Sequence, residues 1–176
     1  MEKYDLCVIG AGPSGYAAAM RAIDFGKKVV LIEKDKIGGA GLYNGALTSK
    51  TMWELSQKVR TVNNSIVSSG RSKFDISWEQ VKTTMQEAVF DRKFQYSCHI
   101  KLLQSEELNQ CFKYERGFAS FIDNHIVKIQ KSNGNLKEIY ADNIIIAIGS
   151  TPRHLPNIKV GEQILLTSNG VDLMND

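Results

Sequence analysis

Residues 4–33 read YDLCVIGAGPSGYAAAMRAIDFGKKVVLIE. The first six, YDLCVI, are mostly apolar and β-prone, and glycine follows at once, which predicts a buried parallel strand. YAAAMRAIDF has helical propensity and stops at Gly26, and KKVVLIEK reads as a second buried strand ending on Glu33. Between the first strand and the helix, Gly10, Gly12 and Gly15 form G-x-G-x-x-G, and Glu33 lies 18 residues beyond Gly15. Glycines alone are weak evidence, but strand, glycine turn, helix, strand and acid in this order have a physical logic. Gly10 makes the tight turn, Gly12 lets the backbone approach a pyrophosphate, and Gly15 lets helix and strand pack closely. The helix N-terminus supplies unpaired N–H groups and positive potential. The Glu33 carboxylate can accept from a ribose diol and would repel a ribose 2′-phosphate. The stretch therefore predicts a dinucleotide site.

Outward from this stretch the pattern departs from a nicotinamide-only domain, which continues into another helix and a third parallel strand. Residues 38–50, GGAGLYNGALTSK, hold four glycines and two alanines in thirteen positions and end on Lys50. Leu55, Val59, Val62 and Ile66 then recur at helical spacing from Thr51 to about residue 69, with Thr51 and Glu54 spaced as a capping box. Ser77 and Gln80 repeat that spacing ahead of the stripe Val81, Met85, Ala88 and Val89, in a helix expected to run to about Leu103. From Cys111 the pattern changes to short strands: CFKYERGFASFID, NHIVKIQK and LKEIYAD, with Asn133-Gly134 a hairpin signal. NIIIAIGS reads as a further buried strand, and 151–176 as a connector. The insertion of helices and a β-meander favours FAD, whose length needs a second set of contacts.

The totals narrow the classes. The 176 residues carry a formal net charge of +3 spread along the chain, so a nucleic-acid face is not expected. Three cysteines, Cys7, Cys98 and Cys111, form no CxxC pair, which supports neither a structural disulfide nor zinc. No apolar run approaches the roughly 20 residues of a membrane span. No signal-peptide pattern opens the chain, and a cytoplasmic, reducing setting is expected.

Four ordered segments carry a family resemblance: DLCVIGAGPSGYAAAMRAIDFGKKVVLIEK, GGAGLYNGALTSK, GFASFIDNHIV and IIIAIGSTPRHLP. Together they resemble the N-terminal FAD-binding segment of the pyridine nucleotide-disulfide oxidoreductases, which include lipoamide dehydrogenase, glutathione reductase, mercuric reductase and soluble transhydrogenase. The resemblance implies an α/β, Rossmann-like FAD-binding domain over 1–150. It would have a central parallel sheet with helices on one side and a three-stranded β-meander (about 111–141) on the other, and a helical excursion over about 48–105. It places Gly10, Gly12, Pro13, Ser14 and Gly15 along the pyrophosphate and Glu33, with Lys34 beside it, at the adenosine ribose. Gly38, Gly39 and Leu42 would line the ribityl and flavin side. Gly117, Phe118 and Ala119 would offer backbone to the adenine, and Ala147, Gly149 and Ser150 match a family turn that touches FAD. Ile148 stands where that turn has Thr.

In the disulfide reductases the segment at 38–50 reads G-G-T-C-x-x-x-x-C-x-P-S-K. Gly41 and Ala46 occupy the two cysteine positions, so the spacing persists without the sulfurs. Lys50 keeps the family's lysine position, where a cation approaches flavin N5. Cys7, Cys98 and Cys111 are expected to be small buried or half-buried residues, Trp53 and Trp78 packing residues, and His99, His125 and His154, far apart and without an acid partner, are not expected to be catalytic. A second glycine motif for NAD(P)H, the G-D motif and the C-terminal His-Glu pair are absent, so the chain reads as part of a longer homodimeric flavoprotein. The expected function is FAD-dependent oxidation of NAD(P)H, passing hydride to a small-molecule acceptor that is not a disulfide. The alternatives are a non-catalytic flavin- or nucleotide-binding module and, more weakly, an NAD-only dehydrogenase.

Overall fold

The computed structural model describes all residues except 44, 68–69, 106–109, 154, 162–163 and 171–176. The chain forms two compact units, one of residues 1–40 and 93–150, the other of 41–92 and 151–176.

The first unit is built on the opening stretch. Strand β1 (Glu2–Ile9) leads into helix α1 (Pro13–Asp24), which returns to strand β2 (Val29–Glu33), parallel to β1 with Leu6 opposite Val29 and Ile9 opposite Ile32. Pro13 suits the first helical turn, where its missing N–H would have no partner. The helix ends as the sequence predicts: Gly26 adopts φ +69°, its N–H bonds the Ile23 carbonyl, and the Lys27 N–H bonds that of Ala22. This pair of bonds is the Schellman arrangement, which needs a residue tolerant of positive φ.

Strands β3 (Phe112–Arg116), β4 (Phe118–Phe121), β5 (Ile126–Gln130) and β6 (Leu136–Ile146) complete one six-stranded mixed sheet of order β3-β2-β1-β6-β5-β4. Three expected strands resolve differently. CFKYERGFASFID divides at Gly117: β3 joins the parallel part beside β2, whereas β4 enters the meander beside β5. A Cβ at Gly117 would lie 2.7 Å from the Gln130 carbonyl oxygen, so only glycine lets the chain change partners there. LKEIYAD and NIIIAIGS merge instead into the single strand β6. It pairs antiparallel with β5 over Leu136–Tyr140 and parallel with β1 from Ile139 to Ile146. The three meander strands are therefore β4, β5 and the first half of β6, with Gly134 (φ +82°) turning the β5–β6 hairpin as Asn133-Gly134 predicts.

The two faces of the sheet bury different partners. On one, Val8, Val29, Leu31 and Phe112 pack with Ala19 of α1 and with Ile100 and Leu103 of helix α4 (Trp78–Leu103). On the other, Tyr4, Cys7, Val30 and Ile32 pack with Val127, Ile129, Ile139 and Ala141 of the meander. Helices on one side and meander on the other match the expectation.

The second unit holds helix α3 (Ala46–Val67) and residues 78–92 of α4. Helix α3 begins five residues before Thr51, so Thr51 and Glu54 are not its cap. Instead the Ser49 N–H bonds the Gly45 carbonyl, and the Thr51 hydroxyl donates back to the Leu47 carbonyl at 2.9 Å. Ala46 and Leu47 are strong helix formers and extend the helix backward past the capping pattern. The second box does form: the Gln80 N–H donates to Ser77 Oγ at 3.2 Å, and the Ser77 N–H donates to Gln80 Oε1 at 2.9 Å. Trp53, expected in packing, is 65% exposed.

Candidate functional site

The site in the first unit lies at the C-terminal ends of β1, β2, β3 and β6, where parallel α/β sheets bind ligands. Its three glycines do three different things. Gly10 has φ +102°, and a Cβ there would fall 2.3 Å from the Ala147 carbonyl oxygen, at the end of β6. A Cβ at Gly15 would fall 1.9 Å from the Gly10 carbonyl oxygen, so α1 sits directly on the turn. A Cβ at Gly12 would meet nothing within 4 Å, and Gly12 has ordinary extended geometry, φ −69° and ψ −179°. The protein's own packing and backbone therefore account for Gly10 and Gly15 but not for Gly12. Gly12 leaves open space at the N-terminus of α1, where an external group has room to come close. Helix α1 has no side-chain cap at this end, which leaves its N-terminal charge to whatever lies there.

Glu33 closes the other side. It is 8% exposed at the end of β2, with Oε2 accepting the Ala11 N–H at 2.7 Å and Oε1 accepting the Asp35 N–H at 2.8 Å. Each oxygen keeps acceptor capacity for a further donor. Lys34 beside it is exposed. The first part of the second glycine segment reaches the same place: the Gly38 N–H donates to the Ala11 carbonyl at 2.8 Å, and a Cβ at Gly39 would lie 3.3 Å from Gly12 Cα. Gly38 and Gly39 have φ +96° and +49°, so both have a backbone reason. Gly117 donates its N–H to the Glu33 carbonyl at 2.9 Å, followed by exposed Phe118 and half-buried Ala119. The Ala147 N–H continues the β1 pairing through the Ile9 carbonyl, and Gly149 (φ +73°) and Ser150 follow at the surface. The residues predicted for the pyrophosphate, ribose, adenine and exit turn thus come from four strand ends of one unit. An uncapped helix N-terminus, an open glycine and a gripped carboxylate fit the pyrophosphate and ribose of a dinucleotide.

The remaining predicted residues belong to the second unit. Gly41 and Leu42 end the short helix α2 (Gly39–Leu42), with Leu42 buried. Ala46 opens α3 and is exposed, as is Lys50 one turn later. Neither former cysteine position carries sulfur. Cys7 is fully buried, and burial pushes its thiol up to about 12, which keeps it protonated near neutral pH. Cys98 and Cys111 are exposed rather than buried or half-buried as expected.

Sequence reasoning missed the two main-chain donors on Glu33, because Ala11 and Asp35 act through backbone N–H groups that no side-chain pattern reveals. It also missed the Tyr16 hydroxyl paired with His99 Nδ1 and the edge contact of Tyr16 with Tyr96 at 4.5 Å, which join α1 to α4. His125, exposed at the β4–β5 turn, donates from Nδ1 to the Ala141 carbonyl at 3.0 Å and stacks on Tyr140, and His154 lies outside the described residues. Among the described residues no group of three metal-ligating side chains occurs, and no helix is long and apolar enough to cross a membrane.

Comparison with known proteins agrees with this geometry. The chain is 28% identical over 170 residues to a mitochondrial dihydrolipoyl dehydrogenase of Dictyostelium discoideum, covering 96% of this chain and 34% of that protein. It is 32% identical over 171 residues to the mitochondrial dihydrolipoyl dehydrogenase of Schizosaccharomyces pombe, covering 96% of this chain and 32% of that protein. The chain thus spans about a third of the length of these curated relatives. Among solved structures, LpdA of Mycobacterium tuberculosis superposes with a TM-score of 0.78 at 23% identity, over 100% of this chain and 38% of that one. The flavoprotein disulfide reductase RclA of Escherichia coli, as a Cu(II) complex, superposes with a TM-score of 0.68 at 20% identity, over 91% and 32%. At these identities the two structures speak for the fold alone. Residues 4–173 match the family described as pyridine nucleotide-disulphide oxidoreductase, and the chain belongs to that family.

Proposed function

We propose that this chain is the FAD-binding part of a flavin-dependent NAD(P)H oxidoreductase that hands electrons to an acceptor other than a disulfide. The observation that carries the cofactor assignment is the pairing of Gly12, open to an outside group, with the doubly gripped Glu33 at the adjacent strand end. In this reading the α1 N-terminus and Gly12 seat the pyrophosphate, with Pro13 and Ser14 beside it. Glu33 accepts from the adenosine ribose diol, with Lys34 at the same edge. Gly117, Phe118 and Ala119 bound the adenine. Gly38, Gly39 and Leu42 line the ribityl side, and Ala147, Gly149 and Ser150 the exit turn. Lys50 is assigned to the flavin on its spacing and on the family resemblance. There it would stabilise the negative charge of the reduced ring and raise its potential. The bound flavin would supply hydride acceptance from NAD(P)H.

The acceptor follows from Gly41 and Ala46. Dithiol chemistry needs a thiolate next to the flavin, and neither residue provides one. A quinone, a second nicotinamide, oxygen or a metal centre remains as acceptor class. The same two residues also suit a second reading, a flavin-binding module without catalysis. We assign residues 1–150 to the FAD-binding domain and 151–176 to a connector toward a nicotinamide domain. A cytoplasmic setting and a homodimer joined through a C-terminal domain complete this reading, and the relatives' greater length leaves room for such a domain. Mass analysis of ligand released from freshly purified full-length protein tests the cofactor. FAD is expected, and release of NAD alone would refute the assignment. NAD(P)H-dependent reduction of a quinone dye by the FAD-loaded protein separates the enzyme from the inert module.

A further inference from the structure

The Glu33 carboxylate is gripped from two sides, and the two grips differ in origin. The Ala11 donor on Oε2 extends β1 and is fully buried, so the sheet itself fixes it. The Asp35 donor on Oε1 lies two residues past β2, in the exposed run Lys34-Asp35-Lys36. Its anchorage comes from the neighbouring strand. Arg116, the register partner of Glu33, donates from Nη2 to the Asp35 carbonyl at 3.3 Å, and Gly117 next to it donates its N–H to the Glu33 carbonyl at 2.9 Å. The end of β3 therefore holds the chain on both sides of Lys34. Strand alternation separates Arg116 from Glu115, whose carboxylate is engaged by Lys131 and Lys137, and leaves the Arg116 guanidinium on the loop.

We propose that Arg116 is a positioning residue of the nucleotide site: by holding residue 35 it keeps the Asp35 N–H on Oε1 and so sets the direction in which the Glu33 carboxylate meets the ribose diol. The inference rests on the FAD reading above and adds a determinant of selectivity for an intact adenosine ribose. A hydrogen bond from a hydroxyl to a carboxylate loses strength steeply with misalignment, so a carboxylate free to rotate distinguishes the diol poorly. Arg116 does not touch the nucleotide in this account. It acts through the loop.

The test compares affinity for FAD with affinity for an FAD analogue whose adenosine ribose lacks the 2′-hydroxyl, using the full-length protein stripped of cofactor. The unsubstituted protein is expected to favour FAD by about tenfold or more, as loss of one charge-assisted hydrogen bond implies. Arg116→Met should reduce that preference to below about threefold, with the thermal midpoint of the cofactor-free protein unchanged because the guanidinium is exposed. Arg116→Lys, which can still reach a carbonyl, should restore most of the preference. Should Arg116→Met fail to fold, Arg116→Gln serves as the second truncation with the same expected loss. Equal weakening of both ligands, or an undiminished preference in the truncated variants, would overturn the proposal. So would an unsubstituted protein that binds FAD with no preference at all. A protein that binds no FAD of either kind refutes the cofactor assignment instead.

Discussion

At the scale of single residues, the glycines of the first turn separate structural need from ligand need. Gly15→Ala places a methyl group 1.9 Å from the Gly10 carbonyl oxygen and should cost about 3 kcal/mol by forcing α1 off the turn. Gly12→Ala meets open space in a permitted conformation, so stability should change by less than about 0.5 kcal/mol. FAD affinity should nonetheless fall by roughly tenfold or more, because the methyl group occupies the pyrophosphate approach. Thermal unfolding and cofactor titration of the two variants read these effects separately; equal destabilisation by both would remove the argument that Gly12 serves a ligand. Glu33→Gln keeps the shape but removes the charge, and should weaken FAD binding by about tenfold. Unchanged binding by a folded Glu33→Gln protein would reduce Glu33 to a structural acceptor for Ala11 and Asp35.

At the scale of elements, a polar cluster ties β3 to the meander. Glu115 is buried, with Lys137 Nζ at 2.7 Å and Lys131 Nζ at 3.1 Å, and Lys137 also reaches Glu2 at 3.0 Å. Burial alone would push the Glu115 carboxyl up, but hydrogen bonds from the two lysines outweigh it and hold the group below its ordinary value of 4.5. Burial would likewise lower Lys137, and its bonds to Glu115 and Glu2 outweigh that and raise it. A carboxylate depressed on folding contributes stability that is complete above about 4.5 and is lost as pH falls toward the lowered value. Glu115→Gln should therefore cost about 2 kcal/mol at neutral pH, less than a fully buried pair because both lysines are partly exposed. The cost should shrink as pH drops from 5 toward 3, on the order of the carboxylate range. Denaturant unfolding across that range checks it, and a cost independent of pH would mean that packing, not charge, is being measured. Ser77→Ala removes the hydroxyl that accepts the Gln80 N–H, leaving the reciprocal backbone bond to Gln80 Oε1, and should cost about 1 kcal/mol.

At the scale of the whole molecule, the proposed flavin chemistry turns on the identity of residues 41 and 46. A disulfide reductase divides its electrons between flavin and cysteines, and its half-reduced form shows a long-wavelength thiolate-to-flavin band. With Gly41 and Ala46 in the two positions, the full-length FAD protein should bleach with one hydride equivalent per flavin and show no such band. It should fail to reduce lipoamide or glutathione disulfide while reducing a quinone dye with NAD(P)H. Anaerobic titration followed by absorbance measures this. A thiolate band would mean that another thiol of the full-length protein has taken the role; within this chain Cys98 and Cys111 are exposed, whereas Cys7 is buried and protonated at neutral pH.

The sequence alone determined the strand–turn–helix–strand order of residues 4–33, the stop at Gly26, the Asn133-Gly134 hairpin and the cap at Ser77, because each depends on neighbours within a few residues. It also placed Gly10, Gly12, Gly15 and Glu33 in one site, because the spacing of a βαβ unit brings its turn and second strand end together. Only the tertiary structure decided the partners. That Gly10 is required by Ala147, more than a hundred residues away, follows from β6 lying beside β1. That β6 is one strand and CFKYERGFASFID two follows from which edges those residues find. The grip of Ala11, Asp35 and Arg116 on Glu33 and its loop was invisible for the same reason. Each of its three links uses a backbone N–H or carbonyl, which residue identity does not mark, and the link from Arg116 joins residues 81 positions apart. Local chemistry is written in residue identity, whereas long-range pairing depends on geometry that identity leaves open until the sheet has formed.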